Sequence, residues 1–386
     1  MPTPIKLFQS SDTGAPVMSG QAGALIGVLD ACLLNGYNPV SVSSITRSGG
    51  TATVTTSGAH GFNSAYKDSV TIAGANEADY NGDFYIAYVD ATHFTYTVGG
   101  TPASPATGAI TAKRGAANGS WAKAHSGTNL AAYRSGNGIR HYLRVDDTAA
   151  QVGRIRGYEA MTGISTGTGV YPTDAQVSGG LYQLKSNAAS GASRPWFLIA
   201  DDRFFYLGTA HNTTYSTLYD IIVFGEFPSF KTGDSYNSMV FGQTQDNKAN
   251  PPNHTATFVS ASAAATQAGH YLARAYTGGG TSVNFGKVGP VYGMANMGGS
   301  AAATYPNAAD SGLLFAYPTI VNDGVTTVYR GILPGVYAPL HNAPGSHGDV
   351  VRDPIGFAAS GDLFLAKLSN STTPCSVLFD VTRAWR

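Results

Sequence analysis

The sequence predicts a mainly β protein with three parts: an N-terminal arm with a single helix, a small β-barrel-like module, and a larger β-sandwich-like domain. Three observations predict it. The 386 residues include 48 glycines and 22 tyrosines, and only 12% are charged, which favours strands and turns over Lys- and Glu-rich helices. Apolar residues recur with period two from residue 39 to 113, the signature of half-buried strands. The clearest 3.6-residue period is confined to one segment near the N-terminus. With 43% hydrophobic residues, the chain has enough apolar material for real cores, and its length allows two or three domains.

Residues 1–38 begin with an extended, proline-containing arm and continue as "SGQAGALIGVLDACLLNG". Leu25, Ile26, Val28, Leu29, Cys32 and Leu33 form one apolar face. Ser19 is placed to cap its start, and Asn35-Gly36 supplies a left-handed stop. A helix this apolar needs a surface, either the chain's own β-domain or a neighbouring subunit. Residues 39–113 change to period two. "SVSSITRSGGTATVTTSGAHGF" reads as two strands around a glycine turn, "DSVTIAGA" as a third, "GDFYIAYVDATHFTYTVGG" as a hairpin and "TGAITAKR" as a closing strand. In "DYNGDF", Asn81-Gly82 is a strong hairpin signal. Asp79, Asn81 and Asp83 alternate there like calcium ligands, but Gly82 is misplaced for an EF-hand loop and no Glu stands at the twelfth position.

Residues 114–386 read as the larger β-rich domain. "HYLRVDD" and "QVGRIRGYEAM" suggest a hairpin, and "GGLYQL", "RPWFLIADDRFFYLGTA" and "LYDIIVFGEF" suggest strands with aromatic cross-strand pairs. "SGLLFAYPTIV", "TTVYRGILPGVYAPL" and the segments from "DLFLAKLSN" to "CSVLFDVTRAW" continue the pattern. The Gly- and Ala-rich stretch 255–304 has little periodicity and is expected to form long loops packed against other subunits. No repeat of about 20–50 residues is present, which argues against a β-helix or propeller.

Residues 42–113, through "SITRSGGTATVTT", "AHGF", "DSVTIAGA", "YNGDFYI", "VDATHFTYTV" and "ATGAITAKR", resemble a β-module that recurs in tailed-bacteriophage structural proteins. That module is similar in fold to the first catalytic-cysteine half-domain of ubiquitin-activating enzymes. The stretch holds no cysteine, so the resemblance implies the barrel-like fold without the activating chemistry. His60 and His93 match recurring positions, and the resemblance implies a structural role for both. A histidine before a turn glycine can also cap strand-end carbonyls through its ring N–H. The flanking segments "GAPVMSGQAGALIGVLDACLLNGYN", "WAKAHSGTNLAAYRS", "HYLRVDDTAAQVGRIRGYEAMT", "RPWFLIADDRFFYL" and "YDIIVFGEF" resemble uncharacterised virion proteins encoded among phage head and tail genes. The implied function is a non-enzymatic structural component of a tailed-phage virion, at the tail, neck or baseplate or decorating the capsid. It would act through subunit interfaces with other virion proteins and with copies of itself. The alternative is a receptor-binding protein in which tyrosine- and tryptophan-bearing loops of the C-terminal domain grip a host surface glycan.

The remaining signals narrow the chemistry. Twenty-three basic residues balance 23 acidic ones, so no basic excess points to nucleic acid or anionic membrane as partner. No apolar run approaches a membrane span, and the first residues lack a signal-peptide pattern, so synthesis in the host cytoplasm is expected; residence in the virion is what the resemblance implies. Cys32 and Cys375 are too far apart in sequence to suggest a framework and are expected to be free, buried and inert. The sequons at Asn118, Asn212, Asn253 and Asn370 read as chance. Ser64–Lys67, Ser120–Lys123 and Lys231–Gly233 imitate β-lactamase motifs, but Ser-Asp-Asn is absent and neither serine sits in a long helix. Gly-x-Ser-x-Gly, the P-loop and His-Glu-x-x-His are missing.

Asp146-Asp147 and Asp201-Asp202 could serve a glycan depolymerase. Each pair falls where a hairpin turn is expected, and neighbours on a strand point to opposite faces. His341 and His347 are the closest histidine pair, at a spacing that matches no ligand motif. Aromatics are expected to fill β-cores. No catalytic, cofactor-binding or metal residue is predicted.

Overall fold

The computed structural model describes residues 5–63, 68–117, 121–248, 268–284, 303–304, 306–316, 320–322, 328–339, 341–342, 345–352, 361–368 and 375–386. The protein is mainly β, with one α-helix among the described residues. Its N-terminal arm is tied down at once. Lys6–Gln9 form strand β1, which pairs antiparallel with Trp196–Ala200 in the register Lys6↔Ala200.

Helix α1 spans Ala24–Asp30 and runs on as a π-helical turn over Ala31–Asn35. Gly36 ends it at φ 68°, its N–H donating to Ala31 O at 2.8 Å, so the predicted stop is in place. Leu25, Val28, Leu29, Cys32 and Leu33 are buried, packed with Leu143, Val145, Ile155, Trp196 and Leu198. The surface under the helix is therefore the chain's own β-domain. The start differs from the sequence expectation. Ser19 does not cap; Gly23 occupies the N-cap position in a left-handed conformation. The orphan N–H groups of Leu25 and Ile26 instead donate to Asp147 Oδ2 at 2.8 and 3.2 Å, which satisfies the first turn from a distant strand end.

The small module is a closed six-stranded barrel. Strands β2 (Tyr37–Ser48), β3 (Thr51–Thr56), β4 (Ser69–Ala75), β5 (Gly82–Asp90), β6 (His93–Thr97) and β7 (Gly108–Arg114) close in the order β2-β3-β6-β5-β4-β7. Alternation explains the closure: Ala52, Val54 and Thr56 point inward from β3, toward Ile45, Val70, Ile72, Phe94 and Tyr96. The β4–β5 connection is a hairpin, but Asn81-Gly82 is not its turn. A 3₁₀ turn over Ala78–Tyr80 reverses the chain, and Asn81 is extended at φ −86°. Its amide exchanges two hydrogen bonds with the Ala75 backbone, at 3.0 and 2.8 Å, which closes the wider loop. The barrel is fastened to the arm by charge. Lys6 Nζ meets Asp83 at 2.9 Å, and buried Arg114 pairs with Asp68 and Asp12.

The larger domain is a sandwich. Its main sheet has 13 strands: β1 with β8 (Ala122–Gly127), β9 (Leu130–Arg134), β10 (Tyr142–Asp146), β11 (Val152–Gly163), β12 (Thr166–Tyr171), β13 (Leu181–Leu184), β14 (Trp196–Ala200), β15 (Phe204–Thr209), β16 (Asp220–Glu226), β17 (Ser238–Gln243), β18 (Ala268–Leu272) and β19 (Val283–Asn284). The main path runs β1-β14-β15-β16-β17-β13-β11-β10-β9-β8. A second sheet of five strands packs over β14–β17, in the order Phe315–Ala316, Val336–Pro339, Cys375–Asp380, Asp362–Leu368, Val350–Arg352.

Strands β14–β16 are therefore covered twice. Trp196, Leu198, Phe205 and Ile222 face the α1 side, while Phe197, Ile199, Tyr206 and Val223 face the second sheet. This double burial is why "WFLIA", "FFYL" and "IIVF" run apolar without alternating. Within 255–304, most of which lies outside the described residues, Ala268–Leu272 corrects the expectation of loops. It pairs with β17 through Met239↔Leu272.

Candidate functional site

His60 is fully buried, with its imidazole bridging two loops of the barrel. Phe62 N–H donates to Nδ1 at 3.0 Å, which places the ring proton on Nε2, 2.8 Å from Asp90 O. Phe62 stacks on the ring at 5.0 Å, and Phe94 meets it edge-on at 5.4 Å. Both nitrogens are thus committed inside the barrel. His93 Nδ1 sits 2.9 Å from the Asp90 carboxylate at the β5–β6 turn. The N–H of Thr92 and the His93 ring hold that carboxyl down to about 2. The two histidines brace the same hairpin, His60 at the Asp90 carbonyl and His93 at its carboxylate.

The acidic pairs serve geometry. Asp201 and Asp202 lie in the β14–β15 turn, as the sequence suggests. Asp201 Oδ1 accepts the N–H groups of Arg203 and Phe204, both at 2.7 Å, and Oδ2 meets Arg386 at 3.0 Å. Burial pushes the Asp201 carboxyl up, against the opposing pull of Arg386. Asp202 takes an N–H of Asn137 at 2.7 Å. A cavity of about 140 Å³ lies among Asp201, Asp202, Arg203, Trp385 and Arg386, with both carboxylates already held by cations and amides. At the other pair, Asp147 is wholly buried on Lys185 while Asp146 binds Thr148 and Arg144. The two carboxylates diverge as strand neighbours must.

The remaining candidates are dispersed. Ser64–Lys67 and Ser120 lie outside the described residues; Lys123 pairs with Asp30, and Lys231 donates to Tyr276 O at 2.5 Å. Asn212 caps a 3₁₀ turn by accepting Thr214 N–H at 2.8 Å, whereas Asn118, Asn253 and Asn370 lie outside the described residues. Cys32 is free and buried, and the Cys375 side chain lies outside those described. His347 stacks on Tyr219 at 3.8 Å, and burial takes its pKa down to about 4. His341 accepts Leu314 N–H at 2.7 Å. Asp79, Asn81 and Asp83 do not converge, Asp83 being spent on Lys6 and Thr71. Among the described residues no three His, Cys, Asp or Glu side chains group as metal ligands. Trp121, Trp196 and Trp385 are all core residues.

The sequence reading missed one arrangement. Register places Arg134↔Tyr142↔Tyr158 and Arg144↔Arg156 side by side, with Asp146↔Arg154↔Tyr182 beside them. These residues share the face of β9, β10, β11 and β13 opposite α1, since Leu143, Val145 and Ile155 occupy the α1 side. Arg134, Arg144, Arg154, Arg156, Tyr158 and Tyr182 are all half-buried. Arg154 lies over the Tyr182 ring at 3.7 Å, and Arg134 over Tyr142 at 5.2 Å. The signal was visible as Arg alternating with Leu, Val and Ile in "YLRVD" and "GRIRGY". No family model matches the chain, and no curated protein matches it.

Proposed function

We propose that the protein is a non-enzymatic structural component of a tailed-phage virion, working through subunit interfaces with other virion proteins and with copies of itself. The observation that carries this reading is the use of its chemistry-bearing side chains. His60, His93, Asp147, Asp201 and Lys185 are each engaged in internal bracing. Asp201 alone of these borders the cavity described above, with its carboxylate already held by Arg386 and two backbone N–H groups. A double-covered sheet and a closed barrel suit a rigid building block that symmetry multiplies. Cryo-electron microscopy of purified particles from the encoding phage tests it. Density for this chain in symmetric copies is expected, and particles lacking it overturn the proposal.

A second reading is receptor binding to a host surface glycan. It is favoured by the arginine–tyrosine face, where the β11–β12 turn covers Tyr142 and reaches Arg144 while the four arginines, Tyr158 and Tyr182 stay half-buried. Adsorption of the purified chain to host cells tests that reading, and absence of adsorption removes it.

A further inference from the structure

We propose that the outer face of β9, β10, β11 and β13 binds an acidic polysaccharide, with carboxylates on its arginines and sugar rings on its tyrosines. The inference rests on the receptor reading and names the class of glycan. Charge is the first argument. The whole chain has a net charge of zero, yet this face gathers four arginines against Asp146 and Asp174, with the self-neutralising Asp246–Lys248 pair near Arg154, an excess of two positive charges. A guanidinium has five N–H donors in a planar fork suited to carboxylates, and the internal contacts of these four use only some of them.

Pre-organisation is the second argument. Arg144 Nε donates to Ile164 O at 2.9 Å, Arg154 Nη2 to Gly180 O at 2.5 Å, and Arg134 Nη1 to Tyr142 Oη at 2.5 Å. The forks are held in place before a ligand arrives, so little side-chain entropy is left to lose. Tyr158 and Tyr182 are half-buried on the same face; Arg154 covers one ring face of Tyr182 at 3.7 Å and Tyr158 packs beside Tyr142 and Met161, so what they offer a sugar is the rigid ring surface left at the solvent side.

Charge density decides between polyanions. Four adjacent strands span about 15 Å, and an excess of two charges over that length is sparse. Duplex DNA presents about one charge per 1.7 Å, far more than this face neutralises. A uronic-acid polymer, with its carboxylates separated by sugar rings, fits the spacing.

The test is affinity electrophoresis of the full chain in gels containing alginate or dextran, beside a mobility shift with duplex DNA. Retardation by alginate alone is expected, weakened at about 0.5 M salt where the Debye length shrinks below contact spacing. Arg144→Gln combined with Arg156→Gln should weaken it at least about tenfold. These two arginines also hold loops, so Arg134→Gln is the second variant, with a several-fold loss and an unchanged melting curve. Unaltered mobility in alginate, equal retardation by dextran, full retention by both variants, or stronger binding to DNA would each overturn the proposal. Host-cell adsorption that persists without alginate binding would sink the acidic-glycan assignment and leave the receptor reading standing. Loss of adsorption itself would sink that reading.

Discussion

Replacing Lys185 by methionine should destabilise the protein by about 3–5 kcal/mol, the usual consequence of stripping one partner from a buried ion pair. Lys185 and Asp147 both have fully buried side chains. The ammonium also donates to Gln21 O at 2.8 Å and Ala149 O at 3.1 Å. Methionine fills the volume but leaves a buried carboxylate and two carbonyls without that donor, at about 1–3 kcal/mol each where no water enters. Asp147 still accepts the α1 N–H groups, which keeps the total at the stated range. Adding Asp147→Asn should recover about 2 kcal/mol, because an amide oxygen can accept from Leu25 and Ile26 without carrying a charge. Urea unfolding followed by tryptophan fluorescence measures both, since Trp121 and Trp196 share the α1 core. A single-variant loss below about 1 kcal/mol would refute the buried-pair reasoning. So would a double variant as unstable as the sum of its parts.

Three further outcomes are expected. His347 sits near 4 because burial, then Lys367, disfavours its cation against the pull of Asp349. Below its ordinary value of 6.5 the unfolded chain takes up a proton that the fold refuses. Stability should therefore fall by about 3 kcal/mol as pH drops from 6.5 to 4, and His347→Gln should flatten that part of the melting-temperature profile. His60→Ala leaves Asp90 O and Phe62 N–H unsatisfied in the barrel and should lose about 2–4 kcal/mol in calorimetry; a neutral result would reopen a functional role. At Gly157 an added Cβ would overlap the Tyr171 ring, so Gly157→Ala should lose about 1–3 kcal/mol in urea unfolding.

Local pattern made the barrel legible. Strands β2, β3, β6 and β7 alternate over their own few residues, and a closed barrel asks only that such strands find one another. The same logic placed the β10–β11 hairpin and the Asp201-Asp202 turn. What stayed hidden depended on distance along the chain. The acceptor for the first turn of α1 is Asp147, more than a hundred residues away, so the nearer Ser19 looked sufficient. Asn81-Gly82 carried a strong turn signal, but a 3₁₀ turn just before it took over the reversal. The arginine–tyrosine face was written in plain alternation. Its meaning as an outer face depended on knowing which side α1 would cover.

The pairing of β1 with β14 also sets an order of events during synthesis. Lys6 cannot meet Ala200 until nearly two hundred residues have left the ribosome, a wait of about 10–40 s at ordinary elongation rates. Once residue 114 is out, the barrel strands are complete and can close on local contacts alone. α1 has emerged earlier, and it lacks first its Asp147 cap and then β14 until each follows. The nascent chain therefore carries a folded bead flanked by an adhesive apolar helix. A chaperone that shields Leu25, Val28 and Leu29 over that interval would act where the fold is slowest to protect itself.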